Sequence, residues 1–292
     1  NHDFSHVGGL DGLKADLMRV AKAIKSGNIA RVPMGILFVG PMGTGKTYVA
    51  EAFAAESGLT CLKFKNFRER WVGSTEGNLE KILDVVDGLG HVLLIIDEAD
   101  RSMGSDSDGD GGTTSRVIAR LKEFMSDTSH RGRVVMLMMT NRPDKLDADL
   151  KRPGRFDLKI PFFFPETIAT REAILSASQK KNGITLSTDA DLRDVATATE
   201  GYSSAELEAV LLAAVGVAND QDRIEVSHSD LMVATKDVIP SRDTRMLAYM
   251  EMLAVFESSS RRMLPDRFQA MDTEDVQQRL DELRRLLGRR IR

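Results

Sequence analysis

The chain has 292 residues, of which 42% are apolar, 29% charged and only 5% aromatic, with a net charge of −4. That length holds one large or two modest domains with a substantial core, and the composition excludes a disordered or collagen-like chain. A single cysteine, Cys61, excludes an intrachain disulfide and a cysteine-built zinc site, so a reducing, cytoplasmic setting is expected. The acidic balance argues against nucleic acid as an electrostatically driven partner. The longest clean apolar run, residues 209–218, is about half of what spans a bilayer, and no signal peptide is recognisable, so no membrane span is expected.

In chain order, compact apolar or β-branched runs at residues 36–39, 60–64, 92–96, 134–139 and 158–162 alternate with stretches long enough for crossover helices. Such runs predict a parallel α/β sheet buried on both faces. After Pro161 and Pro165 helical periodicity takes over, and residues 169–180, 189–199, 203–219 and 229–238 predict a small all-helical domain. Beyond Pro240, residues 243–264 and 273–287 also read as helices. The last places Val276, Leu280, Leu283 and Leu287 on one face and Arg and Glu on the other, an amphipathic helix that needs a surface to cover.

The first run leads into Gly40-Pro41-Met42-Gly43-Thr44-Gly45-Lys46-Thr47, which fits G-x-x-x-x-G-K-[ST] between a strand and a helix. Glycines let backbone N–H groups turn around a polyphosphate, the helix N-terminus adds positive potential, Lys46 reaches the β- and γ-phosphates, and Thr47 suits Mg²⁺. The run at residues 92–96 ends in Asp97-Glu98. Alone, two such acids are also ordinary loop polarity; after a phosphate loop, Asp97 reads as a Mg²⁺ holder and Glu98 as the group that polarises an attacking water. The fourth run ends in Thr140-Asn141. There the Asn141 amide would orient that water or sense the γ-phosphate; the alternative is a turn residue ahead of Arg142-Pro143.

These residues resemble the AAA+ ATPases, in particular the AAA subgroup that includes the proteasomal ATPases, valosin-containing protein, katanin and spastin. The likeness runs over roughly residues 4–240, through Phe4-Ser-His-Val-Gly-Gly-Leu10, both nucleotide motifs, Gly201-Tyr-Ser-Ser-Ala-Glu-Leu207 and, most specifically, residues 140–157. It implies a P-loop NTPase with a five-stranded parallel αβα sheet over residues 1–162, a small helical lid over 163–240 and a helical C-terminal extension over 241–292. It implies ATP/ADP and Mg²⁺ as ligands, a homo-oligomeric ring, usually a hexamer, and a protein substrate. Asn141 becomes sensor 1, and Arg152 and Arg155 become arginine fingers reaching the next subunit's site, where otherwise they would read as surface ion-pair formers. Nucleotide contacts are implied at Gly8, at Gly40, Pro41, Met42, Gly43, Thr44 and Gly45, at Lys46, Thr47 and Tyr48, and at Ala205. The chain departs from the subgroup at His6, where Asp is usual, at Met42, where proline is usual, and near Ser178, where some members have a histidine. Ser204 and Ala205 occupy the sensor 2 region.

The lone tryptophan lies in Arg70-Trp71-Val72-Gly73. Read by itself it is equally a core residue; the resemblance implies that Trp71 and Val72 line a central pore and grip an extended polypeptide. Residues 104–114 carry Asp106, Asp108 and Asp110, like the start of a calcium loop, but Val117 stands where a bidentate Glu is required. A flexible, acidic second pore loop is expected instead, and Arg116 after it matches a subunit-interface position. No His-Glu-x-x-His occurs in these residues, so the zinc protease that some relatives carry is not expected within them. The expected activity is ATP hydrolysis coupled to remodelling, unfolding or translocation of a protein. The alternative is an assembly or regulatory module that binds ATP and oligomerises without threading substrate.

Overall fold

Apolar runs that do not alternate need cover on both faces, and every residue of Gly35–Val39 (β1) and Val134–Thr140 (β4) is buried. The computed structural model describes residues 2–65, 75–97 and 111–292, and of residues 64, 65, 75–78 and 111–115 the backbone alone. Together with Thr60–Lys65 (β2), Val92–Asp97 (β3) and Phe156–Pro161 (β5), β1 and β4 form one parallel five-stranded sheet in the order β2-β3-β4-β1-β5. The last strand starts at Phe156 rather than Leu158 because Phe156 pairs with Gly35.

Alternate residues of each strand feed two cores. Ile36, Phe38, Leu93, Ile95, Val135 and Leu137 face Asp11–Lys25 (α1), which the sequence reading did not anticipate, and Lys46–Ser57 (α2). Leu37, Val39, Leu94, Ile96, Met136 and Met138 face Thr75–Leu89 (α3) and Gly111–Ser126 (α4). The helix α4 begins inside the stretch expected to be a loop, because the apolar spacing of Val117, Ile118, Leu121 and Met125 gives it a buried face.

A third core lies in the four helices Ile168–Lys181 (α5), Leu192–Ala198 (α6), Ser204–Asn219 (α7) and His228–Asp237 (α8), around Leu175, Val195, Leu207, Leu211 and Leu231. The shorter α6 starts where Asp191 caps it by accepting from Arg193 N. A capping box closes the start of α7: Ser203 Oγ accepts from Glu206 N at 3.1 Å and Glu206 Oε2 accepts from Ser203 N at 2.7 Å.

The residues after Pro240 complete the sheet's second core. Thr244–Glu257 (α9), the one-turn helix Asp266–Gln269 (α10) and Thr273–Leu287 (α11) follow in order. Tyr249, Met252 and Leu253 of α9 and Val276, Leu280, Leu283 and Leu287 of α11 join the same cluster as Leu37, Val39 and Met138. Each such side chain contributes about 1.5–3 kcal/mol when fully buried, so the surface that the amphipathic α11 covers is the sheet itself through α9. The single helix expected over residues 243–264 breaks at Ser258-Ser259-Ser260, where polar groups serve a strand edge instead. Ser259 N donates to Lys159 O at 3.0 Å, Lys159 N donates to Ser259 Oγ at 2.7 Å, and Ser259 Oγ donates to Asp157 O at 3.0 Å, which caps the open edge of β5.

Candidate functional site

The strand order decides which ends meet. With β1 between β4 and β5, and β4 between β3 and β1, the residues just past β1 and β4 and the last residue of β3 converge at one end of the sheet. Gly40 N donates to Thr140 O at 3.3 Å, which sets the phosphate loop against the Asn141 turn. A cleft of about 630 Å³ opens there. Met42, Gly43, Thr44, Gly45, Lys46, Thr47 and Tyr48 line it along the loop, Asp97 and Asn141 from the neighbouring strands, and Gly8 and His6 from the N-terminal turn. Its other wall is the helical lobe, with Ile174, Ser178 and Lys181 of α5 and Ala205 and Glu208 of α7.

Local geometry explains the loop. Gly45 sits in the left-handed region, φ +88°, and turns the chain into α2 at Lys46, so the first N–H groups and positive end of that helix face the cleft. Lys46 Nζ donates to Gly40 O at 2.7 Å, Pro41 O at 2.8 Å and Asn141 Oδ1 at 2.9 Å. Thr44 Oγ1 donates to Pro41 O at 2.8 Å. Gly40 and Pro41 thus serve the loop by their carbonyls and do not line the cleft. The lobes meet on the loop as well, where Ala205 N donates to Gly43 O at 3.0 Å. At Gly8 a Cβ would stand 2.5 Å from Ala173 O and 2.7 Å from Ile174 Cα, so only glycine lets the N-terminal turn lie directly on the backbone of α5.

At the far end, Tyr48 stacks on His2 with ring centroids 3.9 Å apart, and Lys181 Nζ lies 4.8 Å from its centroid on the ring face. Burial, then the charges of Glu208 and Glu51, push the Tyr48 phenol above its ordinary value, which keeps its hydroxyl a donor. Tyr48 Oη and Ser178 Oγ are buried and make no hydrogen bond within the described chain, although both residues line the cleft. Two orphaned hydroxyls beyond a phosphate loop fit a ligand with a polyphosphate and a hydrogen-bonding nucleoside. The Thr47 hydroxyl and Asp97 carboxylate supply oxygen donors to the same cleft, a set suited to a hard divalent cation.

Arg152 and Arg155 are not part of this cleft. They stand on the turn before β5, beside a separate hollow with Met34, Met125 and Arg131. The Arg152 side chain is 70% exposed and pairs with Asp149 at 3.1 Å, while Arg155 Nη1 donates to Asp149 O at 2.9 Å. Arg116 is exposed on α4. Glu98, Trp71, Val72 and the run from Asp106 to Asp110 lie outside the described residues. Among the described residues no helix is long and apolar enough to cross a membrane.

Sequence reasoning missed Arg142, Lys181, Glu208 and Met250 as cleft residues. The spacing of Glu208 one turn after Ser204 offered a weak signal for the second wall. Lys181 pairs with Glu208 at 3.0 Å; burial pushes the Glu208 carboxyl up, and hydrogen bonds from Asn182 and Lys181 more than offset it, leaving it below the ordinary range. Met250 comes from α9 and had no signal at all.

A strand-loop-helix phosphate cradle, an acid at the end of a strand two places away and a polar amide between them define a P-loop nucleoside triphosphatase. Residues 36–164 match the ATPase family associated with various cellular activities (AAA). Curated relatives include the "ATP-dependent zinc metalloprotease FtsH 1" of Sphaerobacter thermophilus, 32% identical over 86% of this chain and 40% of that protein. The protein named "ATP-dependent zinc metalloprotease FtsH" is 32% identical in Bacillus subtilis, over 85% of this chain and 40% of that protein. Its namesake in Mycoplasmoides gallisepticum is 33% identical over 85% of this chain and 34% of its own length. The chain therefore carries an AAA ATPase domain at residues 36–164, and it spans about 40% of the length of the first of these relatives.

Proposed function

We propose that this chain is the motor segment of a ring-forming ATPase: it binds ATP between its two lobes, hydrolyses it to ADP and phosphate, and uses the cycle to remodel, unfold or translocate a protein. The observation that carries the reading is the convergence of Lys46, Thr47, Asp97 and Asn141, from three adjacent strand ends, in one cleft whose second wall is the helical lobe. In this reading the loop amides and Lys46 hold the phosphates, and Thr47 and Asp97 hold Mg²⁺, which when bound neutralises charge on the β- and γ-phosphate oxygens. Glu98 takes a proton from the attacking water and Asn141 orients that water. Gly8, Tyr48 and Ala205 contact the nucleoside end.

The exposed, outward setting of Arg152 supports a role in trans for Arg152 and Arg155, so the working unit is a homo-oligomeric ring, a hexamer in most of the family. We divide the chain at 162/163 and 240/241, with residues 163–240 as a lid on the nucleotide. Residues 241–292 move with the sheet whose core they share. The single cysteine supports a reducing, cytoplasmic setting in this reading. The relatives' names join ATP use to a zinc protease; with no His-Glu-x-x-His in residues 1–292, any proteolysis comes from outside this segment.

Glu98→Gln is the direct test. It is expected to bind ATP with an affinity within about threefold of the unchanged protein and to turn over at least roughly 100-fold more slowly. Turnover at the normal rate would remove Glu98 from the chemistry. Trp71→Ala separates the motor from the assembly module: a threading motor goes on hydrolysing ATP but stops unfolding a tagged globular substrate. Normal unfolding by the variant would remove Trp71 from the grip on substrate, and failure of the unchanged protein to unfold such a substrate would leave the assembly reading standing.

A further inference from the structure

Asn141 is a cleft residue whose two sides are held by different parts of the chain. On one side Thr140 is locked in the sheet opposite Val39, and Lys46 donates to the Asn141 amide oxygen. On the other side stands Arg142, then Pro143, which restricts the backbone before it. The Arg142 guanidinium is buried, 8% exposed for the whole residue, and residues after Pro240 help to hold it. Its own turn supplies Asp144, gripped at 3.0 Å and 2.8 Å in a two-pronged pair. The C-terminal helices add two contacts: Arg142 Nη2 donates to Ile291 O at 3.0 Å, and Arg142 Cζ stands 5.2 Å from the centroid of the Tyr249 ring.

Tyr249 closes the arrangement. It is 1% exposed, and its hydroxyl donates to Asp144 Oδ2 at 3.1 Å, the same oxygen that Arg142 Nη2 reaches. Arg284 of α11 donates to that hydroxyl from Nε at 3.4 Å. Burial raises the Asp144 carboxyl, but the hydrogen bonds and charge of Arg142 and the Tyr249 hydroxyl outweigh it, so the carboxyl lies below its ordinary range and stays charged. A buried ion pair with one partner removed is strongly destabilised, so the set moves together or not at all. The next residue of α9, Met250, lines the nucleotide cleft. Nothing in the α9 sequence requires a tyrosine for covering the sheet; a phenylalanine would fill the same space.

We propose that Tyr249, supported by Arg284, is a positioning residue for ATP hydrolysis: it fixes Arg142 and Asp144 and thereby the adjacent Asn141, tying the C-terminal helices into the catalytic geometry. The proposal rests on the role given to Asn141 above. Its physical basis is that a misplacement of about 1 Å in a group orienting a reactant costs up to roughly 100-fold in rate, while substrate affinity, set by the phosphate loop, changes little.

The test is a double-substitution cycle on the full chain, measuring kcat and KM for Mg-ATP together with thermal stability. Tyr249→Phe keeps ring and volume and deletes the hydroxyl. It is expected to lower kcat roughly 3- to 10-fold, the net worth of about one ordinary intramolecular hydrogen bond, with KM unchanged within about twofold. In an Asn141→Ala background the same change is expected to alter kcat less than about 1.5-fold, because the group it positions is gone. The same fold loss in both backgrounds, or a normal kcat in Tyr249→Phe when Asn141→Ala is impaired, overturns this proposal and leaves the ATPase reading intact. A normal kcat in Asn141→Ala overturns the role of Asn141 and this proposal with it. If Tyr249→Phe does not fold, Arg284→Gln, on a half-exposed side chain, enters the same cycle with an expected kcat loss of roughly 2- to 3-fold.

Discussion

Lys46→Met is expected to reduce ATP turnover by at least roughly 100-fold and to weaken ATP binding by more than roughly tenfold. The substitution keeps much of the stem and removes the ammonium. Two losses combine. The ammonium is the positive charge carried by the phosphate loop itself, and hydrogen bonds to charged groups contribute about 1.5–3 kcal/mol each. It also ties the Gly40 and Pro41 carbonyls to the Asn141 amide, so its removal loosens the loop and the strand end beside it. Turnover and titration of a fluorescent ATP analogue check both parts. Unchanged turnover would place the chemistry outside this cleft.

Gly40→Ala is the second change with a large expected effect, and here the loss is of stability first. Gly40 has φ +148°, a region that L side chains rarely adopt, and a Cβ there would stand 2.2 Å from Phe162 O and 3.0 Å from the Phe162 carbonyl carbon and Cβ. None of these atoms swings aside cheaply. Phe162 N donates to Val39 O at 2.7 Å, and its ring packs against Phe38 at 4.8 Å in the core under α1 and α2. Backbone strain of about 1–3 kcal/mol and overpacking of about 1–3 kcal/mol predict a combined loss of about 2–6 kcal/mol, read as a lower urea midpoint at unchanged slope. The control is Gly216→Ala in α7, where an added Cβ meets nothing within 4 Å and a helical alanine is expected to leave stability unchanged or raise it by about 1 kcal/mol. Equal midpoints for Gly40→Ala and the unchanged protein would mean that β1 and β5 do not pack as described.

The two changes also mark what was legible beforehand. Gly40 and Lys46 belong to eight consecutive residues between a strand and a helix, and such a motif needs no knowledge of the rest of the chain. The strands at β1 to β5 were legible for a similar reason: unbroken apolar runs of strand length are a local property. The helix α1 was missed although Leu13, Leu17, Val20 and Ala21 are buried on it, and residues 243–264 were read as one helix where a run of serines leaves α9 to bond β5. In the second case the deciding partners, Asp157 and Lys159, lie about a hundred positions away, and no window over the sequence contains both sides.

The sequence by itself determined the phosphate loop, the strand-end acid and amide, the α/β class and the helical region behind it, because each is written in neighbouring residues or in a short period. Only the tertiary structure decided that Asn141 meets Lys46, that Ala205 seals onto Gly43, and that Met250 and Tyr249 reach the nucleotide side from the far end of the chain. An amphipathic helix announces that one face must be covered and says nothing of what covers it. The partner of α11 and α9 is fixed by which sheet face the crossover helices leave open, a property of strand order and packing that no local pattern carries.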